Sequence, residues 1–449
     1  MLGETRCLEL LEAALAACDC DQAEAILYVQ DSALTRFADS IIHQNVAEAN
    51  AMISVRAVLG KRIGCARGNQ LEKDQVQGVA GRALDLARLS AEDDKFVSLP
   101  EPRPLPAVTG YAEATAASTP EQRAQAARAI AAIAEKHGGQ ASGALAAESA
   151  EIAVANSLGV RAYAPVTESS LITVVADDDS SGYAEWRGTD ISKLDVERVA
   201  RTAARKCADG RGAEAIDPGE YTVILEPPAV GDMLFMLAYM GMGAMPVQEG
   251  RSFMAGRIGE KITGENITIW DDPADPRQLA SAFDWEGVPR QKVTIIENGI
   301  ARGPVYDSYT ANKEGKKSTG HAFPAPNTFG PVPTHLFLQP GDATVDDMIA
   351  STGTGPSGGT GPSGGRGILV TRFHYTNIVH EKHTIFTGMT RDGTFLVENG
   401  KVTKPIKNFR FTQSILDALA NVDMIGKAGQ LVEYAYVPAL RIRKFAFTS

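Results

Sequence analysis

The sequence is poor in the residues from which metal centres and disulfide frameworks are built. Its 449 residues include five cysteines and seven histidines. Cys7, Cys18, Cys20, Cys65 and Cys207 are odd in number and crowded toward the start. That argues against a disulfide scaffold and for reduced thiols in a cytoplasmic protein. Cys18-Asp19-Cys20 is too tight for the usual CxxC metal spacing. A basic surplus is missing as well: 44 Lys and Arg against 55 Asp and Glu leave a net charge of −11. The chain therefore lacks the cationic excess on which non-specific nucleic-acid binding draws. Nor is there a long apolar run. The most apolar window, 229–247, contains Asp232 and glycines, and its charge-free part is about 15 residues, short of the roughly 20 that span a membrane. It reads as a buried core helix. The first twenty residues carry acids early and pattern as an amphipathic helix, unlike the basic start and apolar stretch of a signal peptide.

Common catalytic motifs are also absent. There is no GxSxG elbow and no GxxxxGK[ST] phosphate loop. The histidine cluster His374, His380, Glu381, His383 has HExH rather than HExxH spacing, in what reads as strand or turn. On a strand His380 and His383 would point to opposite faces, so exposed loop histidines are expected rather than zinc ligands. Asp271-Asp272-Pro273 and Asp177–Gly182 read as turn chemistry. Cys65 and Cys207 lack the basic surroundings of a reactive thiolate. Met233, Met236, Met240, Met242 and Met245 read as adaptable core packing on one helix.

What is present divides the chain in two. Helices are expected at Leu8–Leu15, Glu72–Leu89, from Thr119 with a Thr119–Gln122 capping box to Gly138-Gly139, and at Ile191–Cys207. Strands are expected at Ala25–Val29, through Asp31–Gln44 and Ala51–Gly60, and at Ile152–Ala155, Val160–Thr167 and Ser170–Ala176. A proline-rich linker, Pro100–Pro106, could subdivide this region. After Tyr221–Leu225 and a helix at Met233–Met245, strands dominate. Asn298-Gly299, Asp392-Gly393 and Asn399-Gly400 are each flanked by β-formers and read as hairpin turns. Leu431–Thr448 reads as two strands around Pro438. The fold class is thus α+β: a mixed α/β amino-terminal region, 1–210, followed by a β-rich carboxy-terminal domain of antiparallel hairpins, 215–449. A Gly/Ser/Pro loop at 353–366, with an exact TGPSGG tandem at 354–365, interrupts the latter.

Several stretches together resemble the TldD/PmbA family. They are Leu34–Ser40 with Ile42–Asn45, Asn156–Val160, Glu249–Phe253 with Gly256–Glu260, Asp271–Pro273, Phe283–Pro289 leading into Ile296–Gly299, and Gly367–Phe373 preceding Thr387–Phe395. The resemblance runs through nearly the whole chain, and the number and order of the stretches make it specific. It implies a dimer enclosing a substrate cavity. TldD-type members carry a zinc-binding HExxxH helix shortly before the Gly-Arg-Ile-Gly stretch, and a late cysteine ligand. Counted back without gaps from Gly256–Gly259, the helix motif falls at Phe235–Met240, which reads Phe-Met-Leu-Ala-Tyr-Met; the late position, Met424–Gln430, has no cysteine. Thioethers and phenyl rings cannot replace imidazole and thiolate as zinc ligands or act as a general base.

The resemblance therefore implies the TldE/PmbA branch: no catalytic residue and no metal ligand in this chain, with zinc carried by a TldD-type partner in a heterodimeric protease of unfolded or peptide substrates. The alternative is a stand-alone homodimer that binds peptide or regulates without hydrolysis. Glu249, Arg251 and Ser252 are the expected peptide contacts.

Overall fold

The computed structural model describes residues 1–353 and 365–449; the TGPSGG tandem, but for Gly365, lies outside them. The amino-terminal region comprises α1 (Glu4–Ala16), β1 (Gln22–Ala38), β2 (Ile41–Leu59), β3 (Arg62–Gly68), α2 (Lys73–Leu89), α3 (Glu113–Ala116), α4 (Pro120–Lys136), β4 (Gln140–Asn156), β5 (Arg161–Ala176), β6 (Ser181–Gly188) and α5 (Val196–Asp209). Its strands form one antiparallel six-stranded sheet in the order β3-β2-β1-β4-β5-β6. Asp39 and Ser40, both with positive φ (50° and 62°), make the tight turn between β1 and β2. The sequence pattern leaves 31–44 as one extended stretch, because Asp-Ser is a weaker hairpin signal than Asn-Gly. Helix α4 starts with the expected capping box, the Gln122 N–H donating to Thr119 Oγ1 and Gln122 Oε1 receiving the Thr119 N–H. The expected helix 191–207 is split: Asp195 caps a new start, its carboxylate accepting the Arg198 N–H, so α5 begins at Val196.

The second region comprises β7 (Gly219–Leu225), α6 (Pro227–Gly241), α7 (Ala244–Gln248), β8 (Ile269–Asp271), β9 (Val293–Glu297), β10 (Ile300–Ala301), α8 (Ser308–Lys313), β11 (Leu336–Leu338), α9 (Val345–Ala350), β12 (Gly367–His380), β13 (Ile385–Glu398), β14 (Lys401–Pro405), β15 (Arg410–Ser414), α10 (Ile415–Ala420), β16 (Val422–Val432) and β17 (Ala435–Phe447). These strands form an eleven-stranded sheet. It is mixed rather than purely antiparallel: β7 runs parallel to β12, and β11 parallel to β17. Because β7 pairs with both β12 and β17, the strands β7-β12-β13-β15-β17 close a ring. The ring is filled by Phe373, Phe386, Phe411 and Phe445, with centroids 4.4 to 5.9 Å apart. Closure leaves these strands without a bare edge, which a simple run of hairpins would have.

Two expected turns are absent. Asp392-Gly393 lies inside β13 as a bulge, where the pairing register shifts between Val370 and Arg372. Its positive φ values (55° and 124°) suit a bulge as well as a hairpin. The Asp392 carboxylate, bound by Arg372 and by Ser181 Oγ (2.6 Å), ties the bulge to the first sheet. Pro438 likewise sits within β17; the turn comes earlier, at Glu433-Tyr434. Among the described residues, no helix is long and apolar enough to cross a membrane.

Helices approach the first sheet closely where glycine allows it. A methyl group on Gly64 would overlap the Ala83 carbonyl oxygen and the Ala87 nitrogen of α2. Gly64→Ala is therefore expected to push α2 off β3 and cost about 1–3 kcal/mol. Urea unfolding checks this, and an unchanged midpoint would contradict the close packing.

Candidate functional site: an aromatic cavity

Helix α6 starts with Pro227 and Pro228 in its first turn, where a missing N–H costs nothing and φ is already helical. Val230, Met233, Leu234, Leu237 and Met240 are buried in the core of the second region. Gly231 lets the helix settle directly on Val432 of β16. Phe235 and Tyr239, one turn apart, face the other way and remain 38% and 48% exposed. They open onto a cavity of about 900 Å³ between α6 and the first sheet.

The sheet wall includes Tyr28, Met52, Glu148, Ile152, Val166, Thr167 and Glu168, with Arg67 at its β3 side. Tyr28 is the cross-strand neighbour of both Met52 and Ile152, which places all three on one face. The Tyr28 hydroxyl donates to Glu148 Oε1 at 2.7 Å. A third wall comes from the irregular stretches around 279–290 and 323–335, with Trp285 edge-on to Tyr28 at 5.9 Å. Tyr239 meets Phe329, and Phe235 meets Tyr434, each at 6.3 Å. Phe235, Tyr239, Phe323, Phe329 and Tyr434 all keep large exposed areas; Tyr375, on β12, is the other markedly exposed aromatic among the described residues. Exposed apolar surface gathered in one concavity is what a binding pocket offers an apolar ligand, which makes this cavity the candidate site.

Buried polar groups hold the third wall. Asp271, at the end of β8, accepts the His335 N–H at 2.7 Å and meets His321 Nε2 at 3.1 Å. Burial alone would raise its pKa, but His321 and His335 hold it down at about 2. His335 is pushed down to about 4, chiefly by burial and then by Arg290. It is therefore neutral, and its Nε2 meets the Leu279 carbonyl at 2.9 Å. Asp284 accepts the N–H groups of Glu286, Val288 and Ala322 (2.8 to 2.9 Å). Burial, and then the Glu286 carboxylate, push its pKa up to about 7.

The structure brings Glu249 and Arg251 together (Nε to Oε2 2.9 Å) and ties Arg251 to Glu381 of the β12–β13 turn (2.9 Å). Ser252 is buried, donating to the Gly241 carbonyl at 2.7 Å and accepting the Met254 N–H. None of the three lines the cavity. His380 and His383 do not point to opposite faces: the chain turns there, and their rings lie 4.5 Å apart. They remain exposed. Asp271, read as turn chemistry, is fully buried instead. The cavity aromatics and Arg290 were missed by sequence reasoning. The one available signal was the i, i+4 spacing of Phe235 and Tyr239 within a methionine-rich helix.

The residues present do not suit zinc. Across Phe235–Met240 the only side-chain heteroatoms are two thioethers and the Tyr239 phenol; Met240 is buried and Met236 packs on the core. Met424–Gln430 lies on β16 without a thiolate. Among the described residues, no three His, Cys, Asp or Glu side chains converge as a ligand set.

Residues 218–449 match the family model of the PmbA/TldA metallopeptidase C-terminal domain, and residues 113–209 that of the central domain. The chain is 32% identical over 182 residues to an uncharacterized protein of Methanocaldococcus jannaschii, covering 40% of this chain and 43% of that one. It is 28% identical over 211 residues to a Buchnera aphidicola protein named a metalloprotease TldD homolog, covering 46% and 41%. The chain thus spans less than half the length of these relatives. TldE from Thermococcus kodakarensis has the same fold, with a TM-score of 0.87 at 22% identity over 99% of this chain and 100% of that one.

The depressed His335 pKa has a measurable consequence. Unfolded, the ring takes a proton near pH 6.5; folded, only near 4. Stability present above about 6.5 is therefore lost as pH falls toward 4. His335→Gln is expected to flatten the fall in unfolding free energy over that window. Parallel curves for the two proteins would sink this assignment.

Proposed function

Since the chain belongs to the TldD/PmbA metallopeptidase family, we propose that it is a non-catalytic, TldE/PmbA-like subunit of a zinc-dependent protease acting on unfolded or peptide substrates. The single observation behind this is what α6 offers the cavity: Phe235 and Tyr239, where TldD-type members are expected to place zinc ligands. A phenyl ring and a phenol in an apolar lining can hold side chains of a substrate, but they cannot polarise its carbonyl or activate water. In this reading zinc and the general base come from a TldD-type partner in the cytoplasm, and this chain closes and shapes the substrate chamber. Glu249 and Arg251, exposed at the end of α7, would meet the partner rather than the cavity. A stand-alone, peptide-binding homodimer uses the same cavity without a partner.

Peptide cleavage and metal content should be measured on the chain alone, a TldD-type partner alone, and the two mixed. Cleavage and stoichiometric zinc only with the partner present are expected. Cleavage and zinc with this chain alone would overturn the proposal; a partner whose activity is indifferent to this chain would favour the homodimer.

A further inference from the structure

The aromatic cavity also carries charge, and that charge is unevenly satisfied. Arg290 lies in the irregular wall with its Nε donating to the Phe283 carbonyl at 3.2 Å and its Nη1 to Thr334 Oγ1 at 3.4 Å. Both partners are neutral, and among the described residues no carboxylate is within ion-pair distance of it. The buried carboxylates that influence it most, Asp284 and Asp271, are already occupied by backbone N–H groups and by His321. Burial lowers the pKa of the guanidinium, so its charge is held there against a desolvation cost. Arg67 also reaches the cavity, but from an exposed position, where it donates to the Ala325 carbonyl at 3.1 Å. On the sheet wall, Glu168 is engaged by Arg187 (2.6 Å), whereas Glu148 has a neutral partner, the Tyr28 hydroxyl.

A guanidinium with free donors, set in a largely apolar wall, matches the planar two-oxygen geometry of a carboxylate. Capture of a chain terminus is a recurring mode of peptide recognition, and about 900 Å³ falls within the roughly 300–1,000 Å³ of pockets that enclose small ligands. We infer that the cavity binds the carboxy-terminal end of an apolar peptide, with Arg290 receiving the free α-carboxylate and Phe235, Tyr239 and Phe329 receiving the side chains. The inference rests on the proposed peptide-handling role and adds to it a requirement: the peptide must end in this cavity rather than run through it.

Calorimetric titration of the full chain with the tetrapeptide Ala-Phe-Leu-Phe, as free acid and as carboxy-terminal amide, tests this. The acid is expected to bind at least ten-fold tighter than the amide. Arg290→Gln should abolish that preference, and Arg67→Gln should keep it. Equal affinities for acid and amide, no binding of either, or a preference that survives in Arg290→Gln would overturn the inference. If Arg290→Gln does not fold, the comparison of the two peptides on the unaltered chain decides by itself. A mixture with a TldD-type partner that regains cleavage while this chain treats acid and amide alike would overturn the carboxylate site and leave the subunit role standing. A clear acid preference without partner-dependent cleavage would do the reverse.

Discussion

Asp271 closes a three-residue strand with its side chain wholly out of water, and the irregular wall of the cavity hangs on that carboxylate. One oxygen takes the His335 N–H and the other faces His321, fixing two distant stretches of chain to the end of β8. Asp284 does the same for the turn at 286–288 and for Ala322, and Asp307 for the first turn of α8. Little of 249–335 belongs to helix or sheet ladders, so its buried N–H groups need other acceptors. A carboxylate has enough lone pairs to serve several at once. The cost is a concentration of buried acid: burial, and then the neighbouring Glu286 carboxylate, push the Asp284 pKa well above the usual carboxylate range.

The same segment joins the two sheets. Arg56 on β2 binds Glu24 on β1 at 2.7 Å and Glu286 at 3.2 Å. All three are nearly buried, so the group contributes geometry more than net stability: desolvating three charges consumes most of the attraction between them. Breaking one member is the damaging event, since it strands the others. Through Glu286, which also accepts the Ser308 N–H, this group sets the height of the irregular wall over the sheet. Trp285, the neighbour of Glu286 in the chain, meets Tyr28 of β1 edge-on at 5.9 Å.

Within this frame the cavity combines a surface that favours apolar side chains with a sparse, polarised set of charges. Aromatic faces left in water are a standing cost that covering them would remove. Arg290 and Glu148 stand in that lining with opposite charge, so it presents a charged ligand with two unlike ends.

Local chemistry was readable in the sequence wherever neighbours along the chain decide the outcome. The capping box at Thr119–Gln122, the Asn298-Gly299 and Asn399-Gly400 turns and the apolar character of α6 all depend on residues within a turn or two of each other. Asp392-Gly393 has the same local φ preference as those turns, yet it became a bulge, because Arg372 and Ser181 bind its carboxylate from other strands. Pro438 and the parallel pairs of the second sheet likewise follow from which strands lie beside each other, and periodicity carries no record of that. The cavity belongs to this second kind. Phe235, Trp285, Phe329 and Tyr434 look like core residues one at a time; whether an aromatic is covered by its own protein or left facing a cavity is a property of how the segments meet. Glu249, Arg251 and Ser252 sit close to the zinc-motif helix in sequence, but they fall outside the cavity because α6 points its free face at the first sheet while the chain beyond α7 turns toward the β12–β13 hairpin. The sequence alone determined the family framework and the missing donors; tertiary packing decided where the cavity lies and which charges line it.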